Sequence, residues 1–150
     1  MSYSTDTLPA IGILSDLSED ELSELASFGT FLKNRKGDKL VEQGAMNAFI
    51  HLVLEGELRV AVASHDAIVT LGYVHAGECV GEMTMLEPVK PAVAGVMSAS
   101  DSHVWAIQRD DFDRFVDEFP SAGAKMLRGI AVLIAGRLRK TDQHVVAQAT

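Results

Sequence analysis

The spacing of apolar positions changes twice along the chain. Over LSEDELSELASF (17–28), Leu22, Leu25, Ala26 and Phe28 recur at helical spacing and make one apolar face. Ser18 stands where a helix cap belongs, and Glu21, three residues on, completes a capping box. Leu17 and Leu22 bracket that start as a hydrophobic staple. The pattern predicts a short helix over 18–28, stopped by Gly29.

From 30 to 107 the period shortens to that of strands. FIHLVL (49–54), LRVAVA (58–63), IVTLGYV (68–74) and HVWAI (103–107) are short and rich in β-branched or aromatic residues. Turn chemistry separates them: Lys-Gly-Asp at 36–38, Gln-Gly at 43–44, Glu-Gly-Glu at 55–57, His-Asp at 65–66 and His-Ala-Gly-Glu at 75–78. About eight such strands, with Gly-bearing turns at roughly ten-residue spacing, predict an antiparallel sandwich or barrel. No repeated βαβ pattern argues for a parallel sheet.

Helices return after 108. Asp110 is placed to cap DDFDRFVDEF, where Phe112, Phe115, Val116 and Phe119 define an apolar face, so a helix is predicted over 110–119. A second is predicted over 121–140, opened by Pro120. Its apolar arc holds Met126, Leu127, Ile130, Leu133, Ile134 and Leu138, opposite Lys125, Arg128 and Arg139. Arg137 falls inside the apolar arc. The expectation is that it snorkels past the last turn; the sharper alternative is a partner carboxylate or anion. Gly129 and Gly136 each cost roughly 1 kcal/mol in a helix interior, which calls for a close approach or a bend there. The tail DQHVVAQAT reads as a fraying end or an extension of the helix.

Composition narrows the function. The 150 residues make one domain with room for a core, and 47% of them are hydrophobic. The net charge of −8, from 21 acidic and 13 basic residues, repels a nucleic-acid backbone, so no nucleic-acid partner is expected. No run approaches the ~18 apolar residues of a membrane span, and the N-terminus lacks the basic flank of a signal peptide. The single cysteine, Cys79, excludes an internal disulfide and fits a reducing cytoplasm. Flanked by Glu78 and Val80, it reads as a small buried hydrophobe. No metal site is expected, because the five histidines include no His-x-His pair. No nucleophile-elbow signature is present either, so an enzyme is the weakest class.

Five segments together resemble the cyclic nucleotide-binding domain family: ILSDLSEDELSELA, KGDKLVEQG, FIHLVLEGELRV, GECVGEM and DSHVWAIQRDDF. They stand in the family's order and cover nearly the whole chain. The resemblance implies a double-stranded β-helix, or jelly roll, over 30–107, mainly β with flanking helices and enclosing a small pocket. It further implies that a short helix after Gly-Glu offers backbone N–H groups to a cyclic phosphate. The Glu would take a ribose hydroxyl, an Arg in a Pro-Arg-Ser-Ala-like motif would pair with the phosphate, and the C-terminal helix would close over the base. By resemblance, Gly81, Glu82, Met83 and Thr84 carry the entrance.

The second half of the motif departs from the family. With Pro91 on the family's proline, Ala92 takes the arginine position and Val93 the small-hydroxyl position. An ungapped count puts Pro91 at the arginine position, preceded by Lys90. Neither supplies a guanidinium. A charge-assisted hydrogen bond is worth roughly 1.5–3 kcal/mol, so its loss weakens cyclic nucleotide binding by about ten- to several-hundredfold. Lys90 either compensates as a point charge or is an exposed loop lysine.

The resulting expectation is a non-catalytic regulatory or signalling module with a degenerate phosphate site and no cofactor, acting through another protein. Leu127, Ile130, Ile134 and Leu138 are its candidate interaction face, and a homodimer through the C-terminal helix is a related expectation. The alternative is a genuine cyclic AMP or cyclic GMP sensor that uses Gly81, Glu82 and a substitute cation such as Lys90. A transcription factor of the catabolite-activator type is disfavoured, because only about ten residues follow the predicted helix and a helix-turn-helix needs more.

Overall fold

A computed structural model describes residues 7–87 and 90–149 of the chain. A 3-10 turn, Gly12–Leu14, precedes helix α1 (Glu19–Ala26). Strands β1 (Thr30–Asn34), β2 (Lys39–Val41), β3 (Phe49–Glu55), β4 (Leu58–Ala63), β5 (Ile68–Val74) and β6 (Cys79–Val80) follow. After the one-turn helix α2 (Met83–Leu86) come β7 (Gly95–Ser98), β8 (Ser102–Gln108), α3 (Arg109–Glu118) and α4 (Pro120–Ala149).

All strand pairs are antiparallel, in two four-stranded sheets ordered β1-β8-β3-β6 and β2-β7-β4-β5. This is the expected jelly roll. Two cores follow from the period-2 alternation of the first sheet. Val53, Val80 and Val104 point between the sheets and meet Val41, Leu58, Val74 and Val96 from the second. Ile50, Leu52, Trp105 and Ile107 point the other way and are covered by Leu14, Leu25, Phe115, Met126 and Ile130. Ser102 through Ile107 of β8 are therefore all buried, and from Val104 to Ile107 the strand is a continuous rather than alternating apolar run.

The helix boundaries shift from those expected. At α1 the capping box is present: the Glu21 backbone N–H donates to Ser18 Oγ (3.2 Å) and the Ser18 N–H to Glu21 Oε1 (2.9 Å). The same carboxylate accepts from Lys125 Nζ at 2.8 Å, tying α4 to α1 and holding Glu21 below the usual carboxylate range. The helix ends at Ala26, two residues before the expected Phe28, whose ring turns instead against Phe115 and Phe119. Helix α3 starts at Arg109 with Gln108 as its cap residue; Asp110, the expected cap, lies in its first turn. Helix α4 runs from Pro120 to Ala149, so the tail extends the helix beyond the expected end at 140.

Gly129 has a packing reason. A Cβ there would come within 2.3 Å of the Ile13 carbonyl oxygen, so the glycine lets α4 lie directly on the 3-10 turn. The same docking uses most of the apolar arc. Ile130 is 1% exposed, and Leu127 and Ile134 pack against the helix-side core. Three of the four residues expected to form an interaction face are thus spent inside the chain, and Leu138 alone of them is exposed.

His51, on β3, is buried, and its Nδ1 has no hydrogen-bond partner among the described residues. Burial pulls its pKa down from 6.5 to about 4. The folded state therefore binds fewer protons than the unfolded state between those values, and stability is complete above pH 6.5 and declines as the pH falls toward 4. Urea unfolding across that range is expected to lose on the order of 3 kcal/mol through this residue. His51→Leu is expected to flatten that part of the profile; an unchanged slope in the variant would remove His51 as its cause.

Candidate functional site

Between the second sheet, the β6–α2 corner and α4 lies a cleft of about 830 Å³. Its wall is hydrocarbon, supplied by Val41, Val60, Val74, Val80 and Val96, with Leu71 and Tyr73 of β5 at the exposed rim. The corner is formed by Gly81, whose φ of +84° turns the chain from β6 into α2. A Cβ at this position would stand 2.3 Å from the Phe49 carbonyl oxygen, so both conformation and space require glycine. The turn delivers Glu82 to the cleft with its side chain only 13% exposed.

The Glu82 carboxylate does not cap α2. It accepts from Arg137 Nη1 at 3.0 Å, and Arg137 Nη2 donates to the Cys79 carbonyl at 2.7 Å. One guanidinium thus joins α4 to the strand before the corner and to the acid after it. The expectation that Arg137 snorkels into solvent is corrected: it lines the cleft and has a carboxylate partner. The loop supplies no guanidinium, as expected from its sequence, but α4 brings one to the cleft. The Cys79 thiol itself is buried, and its pKa is pushed up to about 12, first by burial and then by the negative charge of Glu82. It stays protonated and is no nucleophile.

The loop behaves differently from the corner. Lys90 Nζ pairs with Glu87 Oε2 at 3.0 Å on a side chain 68% exposed, so its charge is spent locally. Ala92 is held by paired backbone bonds, Gly44 N–H to Ala92 O (2.7 Å) and Ala92 N–H to Ala45 O (2.8 Å). Val93 is 85% exposed and does not fill the cleft. Met83 lines the cleft on the exposed side of α2. Thr84 lies within α2, and its side chain is outside the described residues.

The structure therefore brings Gly81, Glu82, Met83, Lys90, Ala92 and Val93 to one cleft, but only Glu82 engages a charge across it. Three residues were missed or misweighed in the sequence. Arg137 carried a signal, a cation inside an apolar arc. Lys140, three residues further along α4, lines the same cleft. Arg109 carried none: its Nη1 donates to the Glu87 carbonyl at 2.7 Å and holds the end of α2 against the start of α3. Among the described residues, no group of three or more His, Cys, Asp or Glu is placed to hold a metal ion. No described helix is long and apolar enough to cross a membrane.

The chain is thus a jelly-roll β domain whose Gly-Glu corner faces a cleft under a long C-terminal helix. The family model for the cyclic nucleotide-binding domain matches residues 32–119, more than half of the chain, and the chain belongs to that family. It is 29% identical over 136 residues to glutaminase 1 of Bradyrhizobium diazoefficiens, covering 91% of this chain and 21% of that protein. It is 26% identical over 132 residues to the Pycsar effector protein XpPycTIR of Xanthomonas perforans, covering 87% of this chain and 41% of that one. The chain thus spans well under half the length of these two relatives. Among solved structures, a cyclic nucleotide-binding domain from Methylobacillus flagellatus superposes with a TM-score of 0.80 at 24% identity. That match covers 89% of this chain and 75% of the other.

The Arg137–Glu82 pair is partly buried on both sides, so removing one partner strands the other. Arg137→Met is expected to cost about 1–3 kcal/mol, and Glu82→Gln less. In a thermal-unfolding double-mutant cycle the two are expected to be coupled by more than about 0.5 kcal/mol. Strict additivity would mean that the contact contributes nothing.

Proposed function

We propose that this chain is a non-catalytic regulatory domain that senses a small anionic ligand of the cyclic nucleotide class and reports it through α4. The observation that carries this reading is the Arg137 guanidinium inside an open cleft, joined to Glu82. An arginine missing from the loop leaves a phosphate under-neutralised, and one from α4 offsets part of that loss. Because Arg137 belongs to α4 and Glu82 to the corner, a ligand that takes either group alters how α4 is held. The two relatives, in which such a domain is a minor part of a longer protein, fit a module that passes a signal to neighbouring segments.

Calorimetric titration tests this reading. Cyclic AMP or cyclic GMP is expected to bind with Kd at or below about 100 μM, equivalent to about −5.5 kcal/mol. Absence of heat from both nucleotides at millimolar concentration would overturn it.

A second reading keeps the phosphate site degenerate and makes α4 a protein-contact surface. It is favoured by the fact that Arg137 and Glu82 satisfy each other without any ligand. Its partner is another protein or a second copy of this chain. Val132 is 66% exposed and Leu138 60%, and a Cβ at Gly136 would meet nothing within 4 Å, so no contact among the described residues explains that glycine. A helix crossing close to Gly136 would explain it and cover Val132, four residues away on the same face. Light scattering at rising concentration is expected to show a dimer that Val132→Glu disperses. A monomer at the highest concentration would exclude self-association through this face.

A further inference from the structure

We propose that the anion-recognition site of this cleft is built on α4, by Arg137 and Lys140, and not on the loop after α2. The site takes a phosphate or carboxylate carried on an apolar body. The proposal rests on the reading of the cleft as a ligand site and adds where the charge of the ligand sits.

Charge is unevenly distributed across the cleft. Glu78, Glu82 and Glu87 lie on the strand and loop side. The cation of the loop, Lys90, is paired with Glu87 at the surface. Arg137 and Lys140 line the α4 side, three residues apart and therefore on one helix face. Lys140 has no charged partner among the described residues. Arg137 has five N–H donors and uses two nitrogens, Nη1 for Glu82 and Nη2 for the Cys79 carbonyl. Its remaining donors have no acceptor among the described residues. An anion entering the cleft is repelled from the loop and accepted by α4.

The rest of the cleft selects the body of the ligand. Opposite α4, Val60, Val74 and Val96 form a hydrocarbon wall and Tyr73 adds one aromatic face. An apolar or aromatic ring therefore rests against the sheet, its anion toward α4 and any hydroxyl toward Glu82. This is the reverse of the arrangement implied by the family resemblance, in which the loop grips the phosphate and the C-terminal helix covers the base.

The test uses the full chain, with phenyl phosphate and benzoate as probes beside cyclic AMP and cyclic GMP. Thermal shift and calorimetry are run on wild type, Arg137→Gln, Lys140→Ala and Lys90→Ala. Arg128→Ala, which removes a cation from α4 outside the cleft, is the control. At about 10 mM, a range that allows for weak binding by small ligands, phenyl phosphate or benzoate is expected to raise Tm, and whichever is stronger identifies the preferred anion. The Kd of that probe is expected to weaken at least tenfold in Lys140→Ala and in Arg137→Gln, and to stay within about twofold in Arg128→Ala. Lys140 is exposed, so Lys140→Ala keeps the test valid even if Arg137→Gln unfolds. The inference is overturned if neither probe binds, or if binding is unchanged by Lys140→Ala and lost in Lys90→Ala. Cyclic nucleotide binding that survives both α4 substitutions overturns the α4 site and leaves the sensor reading standing. Probe binding that needs Arg137 and Lys140, without any cyclic nucleotide binding, does the opposite.

Discussion

The contact on which the site depends is the bridge from Arg137 to Glu82 and to the Cys79 carbonyl. It joins three parts of the chain that the strand ladders do not connect: the end of β6, the corner after Gly81, and a helix more than fifty residues later. A partly buried carboxylate needs a partner, and a guanidinium inside an apolar arc needs acceptors. Each residue is tolerable where it stands because the other is there.

That bridge is possible because two apolar cores place α4 over the cleft. The core between the sheets sets the shape of the wall, and the helix-side core seats α4 on the 3-10 turn, with Gly129 allowing direct approach to Ile13. The first half of α4 is committed to the body of the domain. Beyond it, Arg137, Lys140 and Thr141 line the cleft, while Leu138 is exposed.

The fold was largely legible because its signals are local. The capping box at Ser18 and Glu21, the alternation of 49–54 and the Gly-bearing turns each act within a few residues. The helix boundaries were less legible. Asp110 has good capping chemistry, yet the β8 ladder runs on to Gln108 and α3 begins at Arg109. Part of the site was legible too, since Gly81 and Glu82 sit in a recognisable turn. The loop after them misdirected attention, because Ala92 and Lys90 occupy the places where a phosphate partner was sought.

The sequence by itself determined the strand and turn pattern and the absence of a loop arginine, since these are set by neighbours in the chain, whereas the need for glycine at 81 also depends on the Phe49 carbonyl that the fold brings against it. Only the tertiary structure decided where a positive charge would enter the cleft. Arg137 lies 55 residues from Glu82, and its direction depends on the packing of α4 against the 3-10 turn and α3, not on the helix period that placed it in an apolar arc. The same packing turned Ile130 and Ile134 inward and left Leu138 outside, because burial is assigned by what each face meets and not by the face alone.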